Sequence, residues 1–490
     1  MTLLAASFQI PISFSAIAPE IVLLTTASVL LVVGVFLPGE LARRLSAAAA
    51  AVALAAAAAI SAIQFEDTAR FAFDHTVRID AFGQGARMLI FVSGLLAVCV
   101  AFGMRDLRER GVEYHALLLS ACAGMSLLAV SNSFVTTFVA LELFSICLYV
   151  LVAIETDDLL SLEGGLKYLI IGSVGAAFLL YGGALVYGAT GQLEFDRIRA
   201  ALEGGDPHGV LLLAGIALAL VGLGFKANAA PFHMWTPDAY EGAPTPVTAF
   251  MSAATKVVAL VIMLRVLVTA FPRQSDVWEI GLAGLVFACF IAGNLGALMQ
   301  SNVKRMLAYS TVAHSGFLLT AVAANSALGG RALLYYLTIY AAMNVGAFAI
   351  VAIREREIGR PVEVADFAGW GYRRPLLSIA MVVFMLSLAG FPPTGGFLGK
   401  LYIWSAAVAN GQTYLAIAGA IATAVGLVYY LRVPFALFDR DAAVPAALPS
   451  AGFELTAGVS LATALVVLGF GIIPSPLIDL ARTASASLFG

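Results

Sequence analysis

The chain is dominated by uninterrupted apolar runs of roughly 20 residues, the length a helix needs to cross a hydrocarbon core of about 30 Å. Fourteen such segments follow one another: 18–38, 46–64, 85–104, 115–131, 133–154, 163–188, 209–231, 244–270, 276–299, 303–325, 331–353, 375–408 with an interruption, 413–438 and 454–477. In lipid only helices and closed barrels satisfy every backbone group. Barrel strands would alternate apolar and polar positions over about ten residues. These runs are continuous and longer. The sequence therefore predicts an all-α polytopic membrane protein with about fourteen transmembrane helices. Of its 490 residues 61% are hydrophobic and 12% charged, about half the charge of a soluble domain. That excludes a soluble enzyme, a disordered chain and a disulfide scaffold. A net charge of −3 offers no basic surface to nucleic acid.

The longest connections, 65–84, 191–208 and 354–374, leave no room for a soluble domain. No GxGxxG follows a strand. The run Gly395-Gly396-Phe397-Leu398-Gly399-Lys400 departs from a phosphate loop at Thr394 and Leu401. Cys99, Cys122, Cys147 and Cys289 lie in apolar stretches with no CxxC, so neither a metal site nor a redox pair is expected. The first basic residue is Arg43, so the first run reads as a span and not as a cleaved signal. Basic residues concentrate in the loops after odd-numbered spans, Arg43, Arg44, Arg105, Arg108, Arg110 and Arg354 among them. The positive-inside rule puts those loops in the cytoplasm and both termini on the periplasmic side of a bacterial inner membrane.

The lysines carry the main chemical signal. Of 27 basic residues only five are Lys, and Lys167, Lys226, Lys256 and Lys400 fall in or at the edge of apolar segments. Arginine keeps its proton in proteins, whereas a buried lysine can lose one. A charge at bilayer depth costs roughly 2.5–3.5 kcal/mol on insertion scales, so something must offset it. The bland alternative is snorkelling or a structural pair. It suits Lys167, near the start of its span, better than Lys256, near the middle of its own. Lys304 and Arg305 read as interfacial charges. Glu142 is the carboxylate counterpart, mid-span with no charge nearby in sequence. An isolated buried carboxylate takes a proton or finds a cation, and a lysine from another helix, Lys226, is the expected partner.

Two spans are interrupted. The seventh ends Phe225-Lys226-Ala227-Asn228-Ala229-Ala230-Pro231-Phe232-His233, and the twelfth contains Gly390-Phe391-Pro392-Pro393-Thr394-Gly395-Gly396 before Lys400. Proline removes a backbone donor and breaks the helix. Unwound backbone survives in a membrane only when it is packed in protein or lines a wet cavity, and in transporters it sits at the ion pathway. Glu142 and His314 are 172 residues apart, and Lys226 and Lys400 are 174 apart. That offset of five spans predicts two inverted five-helix repeats, spans 4–8 and 9–13, with helices 7 and 12 broken. The expected organisation is an N-terminal three-helix segment (1–112), a first repeat (113–272), a second inverted repeat (273–440) and a C-terminal helix (441–490). His233 and His314 are candidate relays, since histidine titrates near neutrality. Their bland readings are a histidine holding the unwound backbone and a core histidine bonded to a carbonyl.

Two strings, Phe225 through Val247 with its Pro231-Phe232-His233-Met234-Trp235-Thr236-Pro237-Asp238 centre, and Gly390 through Lys400, carry a resemblance. They are similar to the antiporter-like membrane subunits of proton-pumping NADH:quinone oxidoreductase, respiratory complex I, over spans four to thirteen. The resemblance implies functional roles for Glu142 in the fifth span, Lys167 in the sixth, Lys226 before the seventh-span break, His233 after it, Lys256 in the eighth and Lys400 in the twelfth. M-type members carry Glu at the position of Lys400, and L-type members add a long lateral helix at the C-terminal end. This sequence matches neither.

The resemblance also implies a mechanism. Changes in a Glu142–Lys226 pairing would drive a proton through Lys256 to Lys400. NADH, FMN, iron–sulfur clusters and quinone would be handled by partner subunits, with no cofactor in this chain. Expected partners are neighbouring antiporter-like and small membrane subunits and the lipid bilayer, with no nucleic acid. Two other readings stand beside it: a subunit of a multisubunit cation/proton antiporter or membrane hydrogenase, and a structural membrane scaffold whose buried charges only fix helix register.

Overall fold

A computed structural model of the chain describes residues 13–66, 68–102, 110–204, 209–440 and 452–489. The N-terminal helices are α1 (Ala18–Gly34), α2 (Gly39–Ile63) and α3 (Ala81–Ala101). There follow α4 (Gly111–Ala129), α5 (Phe134–Val152), α6 (Leu159–Thr190), the short α7 (Phe195–Glu203), α8 (Val210–Lys226) and α9 (Thr236–Gly242). The eighth segment is α10 (Thr245–Phe250), a π turn (Met251–Thr255) and α11 (Lys256–Ala270). Next come α12 (Ser275–Leu298), α13 (Val303–Ala323), α14 (Ala327–Ile358), α15 (Pro375–Ala389), α16 (Gly395–Ala409), α17 (Thr413–Leu437), α18 (Phe453–Ile472) and α19 (Ser475–Phe489). Among the described residues, twelve helices are long and apolar enough to cross a membrane. The expected seventh and twelfth spans are instead represented by shorter apolar helices, Val210–Lys226 and Pro375–Ala389, because both are broken.

Several expectations need correction. The 65–84 connection is not plain loop: Arg70–Ala72 (β1) pairs antiparallel with Val77–Ile79 (β2), the one sheet among the described residues. The 191–208 connection holds α7, whose Phe195, Ile198 and Leu202 bury one helical face. Segments six and eleven are underestimated, since α6 and α14 each run 32 residues. The last apolar segment ends at Ile472, and α19 is a separate amphipathic helix burying Leu477, Ala481, Ala484, Ser485 and Leu488. Arg43 and Arg44 lie within α2 and Arg354 is buried in α14, so they are not loop charges. Arg105 and Arg108 lie outside the described residues, as does 441–451 at the start of the expected C-terminal unit.

The core lies around α11, α13 and α14. Every residue of α11 is buried, and most of α13 and α14 is too. Small residues let neighbours approach. A Cβ on Gly182 of α6 would stand 2.6 Å from Ala219 N, and one on Gly222 would stand 2.7 Å from Leu179 Cβ, so α6 and α8 meet almost backbone to backbone.

Candidate functional site

The two breaks organise the site. In the first, α8 stops at Lys226, Asn228 takes a left-handed φ of 55°, and a cis Ala230–Pro231 bond precedes α9. In the second, α15 stops at Ala389, Gly390 has φ 85°, and a cis Pro392–Pro393 bond leads into α16. A helix end leaves its last carbonyls without intrahelical partners and carries a partial negative charge. In each break a lysine occupies that position. Lys256 Nζ donates to Ala227 O at 2.7 Å and to Thr311 O at 3.3 Å. Lys400 Nζ donates to Leu388 O at 3.0 Å and Ala389 O at 3.2 Å. Both lysines are buried. The carbonyl ends therefore offset part of the insertion cost of two cations.

Lys226, the last residue of α8, is also buried but is seated differently. Its ammonium donates to Ser145 Oγ at 2.7 Å. It lies 5.4 to 5.7 Å from the ring centres of Phe144, Tyr149, Tyr168 and Phe225, within cation–π range. The expected direct ion pair with Glu142 is not formed. Among the described residues no carboxylate lies within 4.0 Å of Lys226. The ammonium's partner is instead Ser145, one helical turn along α5 from Glu142, whose hydroxyl also donates to Leu141 O. Glu142 Oε1, Tyr149 Oη and Trp235 Nε1 are buried without a protein hydrogen-bond partner. Buried polar atoms of this kind are commonly satisfied by water.

Lys256 continues the series. Its third contact is Ser315 Oγ at 2.6 Å, and that hydroxyl donates in turn to Ala227 O at 2.7 Å. Beside Ser315, His314 is held at both ring nitrogens: Nδ1 with Tyr336 Oη at 2.8 Å and Nε2 with Tyr430 Oη at 2.9 Å. Tyr430 also bonds Ser310 Oγ. Tyr340 Oη donates to Thr311 Oγ1 at 3.0 Å. Phe317 bridges the rest, its ring centre 5.7 Å from that of His314 and 4.5 Å from Lys400 Nζ. The series thus runs from half-buried Glu142 to the buried Ser145 and Lys226, then Lys256, Ser315 and His314 with its tyrosines, then Lys400.

Two candidates stand off this series. Lys167 has a side chain 41% exposed and bridges Glu163 and Asp238 at 2.6 Å each. The network extends through Arg305, which binds Asp238 and Glu241 at 2.7 Å. His233 is partly buried, with Nδ1 lacking a protein partner, and its ring faces Tyr309 at 6.3 Å. The bland alternative, that its side chain holds the unwound backbone, has no such contact among the described residues. Lys304, expected at an interface, is buried and donates to Ala243 O at 2.7 Å.

Sequence reasoning missed Ser145, Thr311, Ser315, Tyr336, Tyr340 and Tyr430. Ser145 was findable as the i+3 neighbour of Glu142, and Thr311 as the i−3 neighbour of His314. The tyrosines come from helices far away in the chain. The π turn before Lys256 was also missed. Such turns are frequent at functional sites.

The family model described as NADH:quinone oxidoreductase/Mrp antiporter, TM, matches residues 131–426. The NADH-quinone oxidoreductase subunit N of Trichlorobacter lovleyi is 39% identical over 479 residues, 96% of this chain and 97% of that protein. A chain of respiratory complex I from Thermus thermophilus superposes with a TM-score of 0.80 at 34% identity, covering 95% of this chain and 99% of the other. A chain of the Mrp complex from Dietzia sp. shares the fold at a TM-score of 0.84 and 21% identity, covering 98% of each. This chain belongs to the NADH-quinone oxidoreductase subunit N family, a membrane branch of the NADH:quinone oxidoreductase/Mrp antiporter group.

Proposed function

We propose that this chain is a proton-translocating subunit in the membrane arm of an NADH:quinone oxidoreductase, and that Glu142, Lys226, Lys256, His314 and Lys400 carry the protons. The observation supporting this reading most directly is the buried series of ionisable groups whose lysines rest on helix breaks. Lysine exchanges protons where arginine would not. A half-helix carbonyl end gives its charged form a fixed, dry seat.

In this reading Lys226 gains or loses a proton as Glu142 strengthens or weakens its hold through Ser145. Water beside Glu142, Tyr149 and Trp235 connects the two sites. Lys256 passes the charge through Ser315 and the His314–tyrosine group to Lys400. Lys167 and His233 serve the approach to this series, at the surface network and after the first break. The redox chemistry belongs to partner subunits that hold flavin, iron–sulfur clusters and quinone, and this chain binds none of them. Its neighbours are other antiporter-like and small membrane subunits. It lies in a bacterial inner membrane with both termini periplasmic, and residues 113–272 and 273–440 are inverted copies.

The test is proton uptake per NADH oxidised by the assembled complex in proteoliposomes. Lys226→Ala or Glu142→Ala should lower that ratio while assembly is retained. A parent ratio in both variants overturns the assignment. A second reading, a cation/proton antiporter subunit, is favoured by the likeness to the Mrp fold. It predicts that the chain co-purifies with membrane subunits and no NADH:quinone activity.

A further inference from the structure

A second buried charge cluster lies away from this series, where α3 meets the far end of α11. Asp80 caps α3 by accepting from Gly83 N at 2.8 Å. The same carboxylate takes two parallel hydrogen bonds from Arg265, Nη1 to Oδ2 and Nη2 to Oδ1, both 2.7 Å. Arg78 Nε adds a contact at 2.9 Å, and its Nη2 donates to Ser487 O of α19 at 2.7 Å. Asp80 and Arg265 side chains are fully buried. A Cβ on Gly83 would stand 3.1 Å from Arg265 Nη2 and 2.8 Å from Val130 Cγ1, so the backbone gives way to let the guanidinium in.

A guanidinium keeps its proton, so this pair cannot relay one. It can hold geometry, because a bidentate fork fixes both partners in position and orientation. What it holds is the helix of Lys256. Arg265 stands nine residues along α11 from Lys256, about 13 Å on a helix rising 1.5 Å per residue. Just before Lys256 the chain makes the π turn Met251–Thr255, a wide turn where helical register differs from the α-helix on either side. Lys256 reaches Ala227 O and Ser315 only at its present rotation about the helix axis. A shift of one residue would turn it by roughly 100°.

We infer that the Asp80–Arg265 pair is a positioning device. It locks the rotation of α11 against α3, and so keeps Lys256 sealed on the first break. This builds on Lys256 as a proton carrier, but it predicts a local change in access that can be read without any pumping.

The experiment uses the intact complex with Lys256→Cys or Lys400→Cys, each with and without Arg265→Met. Reaction with a methanethiosulfonate is followed by mass spectrometry of this subunit, with its four native cysteines as internal reference. Arg265→Met should raise labelling of Lys256→Cys at least tenfold and leave Lys400→Cys unchanged. Unchanged labelling at both sites overturns the inference. So does a parallel rise at both, which would make the pair a general support of the fold. If Arg265→Met does not assemble, the neutral pair Asp80→Asn/Arg265→Gln is scored by the same rule, and failure of that variant to assemble also overturns the inference. If labelling changes as expected while protons per NADH stay at the parent value in the Arg265→Met complex that retains Lys256, the positioning role stands and the proton-carrier role of Lys256 falls.

Discussion

The two broken helices use one arrangement with different parts. In both, a cation sits on the free carbonyls of a half-helix. In the twelfth segment that cation is Lys400, from the helix just after the break. In the seventh it is Lys256, from the next segment, while the lysine that matches Lys400 by sequence offset, Lys226, faces Ser145 and four aromatic rings instead. Among the described residues, the first break therefore holds two lysines and the second one. The comparison teaches that the carbonyl end is the constant and the origin of the cation is not. Two helix ends can hold the same kind of group while the segment that supplies it differs.

The largest expected effect tests that equivalence. Lys256→Met and Lys400→Met should each slow proton transfer through this chain by tenfold or more, about 1.4 kcal/mol or above on the barrier scale. Protons per NADH in proteoliposomes reads it. A large loss at one position with none at the other would break the comparison.

Next come the two left-handed residues. Gly390→Ala combines positive φ with a Cβ 3.0 Å from Lys400 Cδ and 3.1 Å from its Nζ. It should destabilise the assembled complex by about 1–2 kcal/mol and disturb Lys400 as well. Asn228→Gly, at the matching left-handed turn, keeps the backbone unstrained and should cost less, limited to the lost packing of a buried side chain and its long contact to Tyr240 Oη. Thermal inactivation of the complex separates the two, and equal losses would mean that the turns are not alike.

Ser145→Ala sharpens the special feature of the first break. It removes the acceptor of the Lys226 ammonium, worth about 1.5–3 kcal/mol for a hydrogen bond to a charged group in a fully packed site, less where water takes its place. A fewfold loss in pumping is expected, with no further loss when Glu142→Gln is added. Additive losses would show that Glu142 does not act through this hydroxyl.

The smallest effect lies at the surface network. Burial works against the Asp238 carboxylate, but hydrogen bonds from Lys167 and Arg305 outweigh it and hold its carboxyl below the ordinary 3.8. A carboxyl lowered on folding contributes stability above its unfolded value and loses it as pH falls through the folded one. Lys167→Met should thus cost little near neutrality, within the roughly 0–1 kcal/mol of an exposed ion pair. That cost should fade below about pH 4 in thermal scans of the complex. A difference that grows on acidification would contradict it.

Much of this was legible in the sequence because the bilayer imposes simple rules. Apolar runs marked the helices, and Pro231, Pro392 and Gly390 marked the breaks. Lysines in apolar segments marked the positions of the buried Lys226, Lys256 and Lys400. What stayed hidden depends on long-range meeting. Tyr430 reaches His314 across 116 residues and Arg265 reaches Asp80 across 185, and no local pattern announces either. The π turn before Lys256 has no local residue signature. The β1–β2 hairpin, with three residues per strand, is too short to leave an alternating pattern. The burial of Lys304 is equally hidden, because its partners, Ala243 O and Glu355 Oε1, lie 61 and 51 residues away in the chain.

One consequence concerns direction. A neutral imidazole donates from one nitrogen and accepts at the other, so with both ring nitrogens of His314 bound to tyrosines, the chain Tyr336–His314–Tyr430–Ser310 has an orientation, like a row of arrows. A proton handed along that row leaves every arrow reversed. A second proton cannot follow the same way until the hydroxyls turn and the imidazole exchanges tautomers. In the proton-carrying reading proposed above, the row would work as a single-shot element: hydroxyls and imidazole would have to be reset before a second proton could take the same direction.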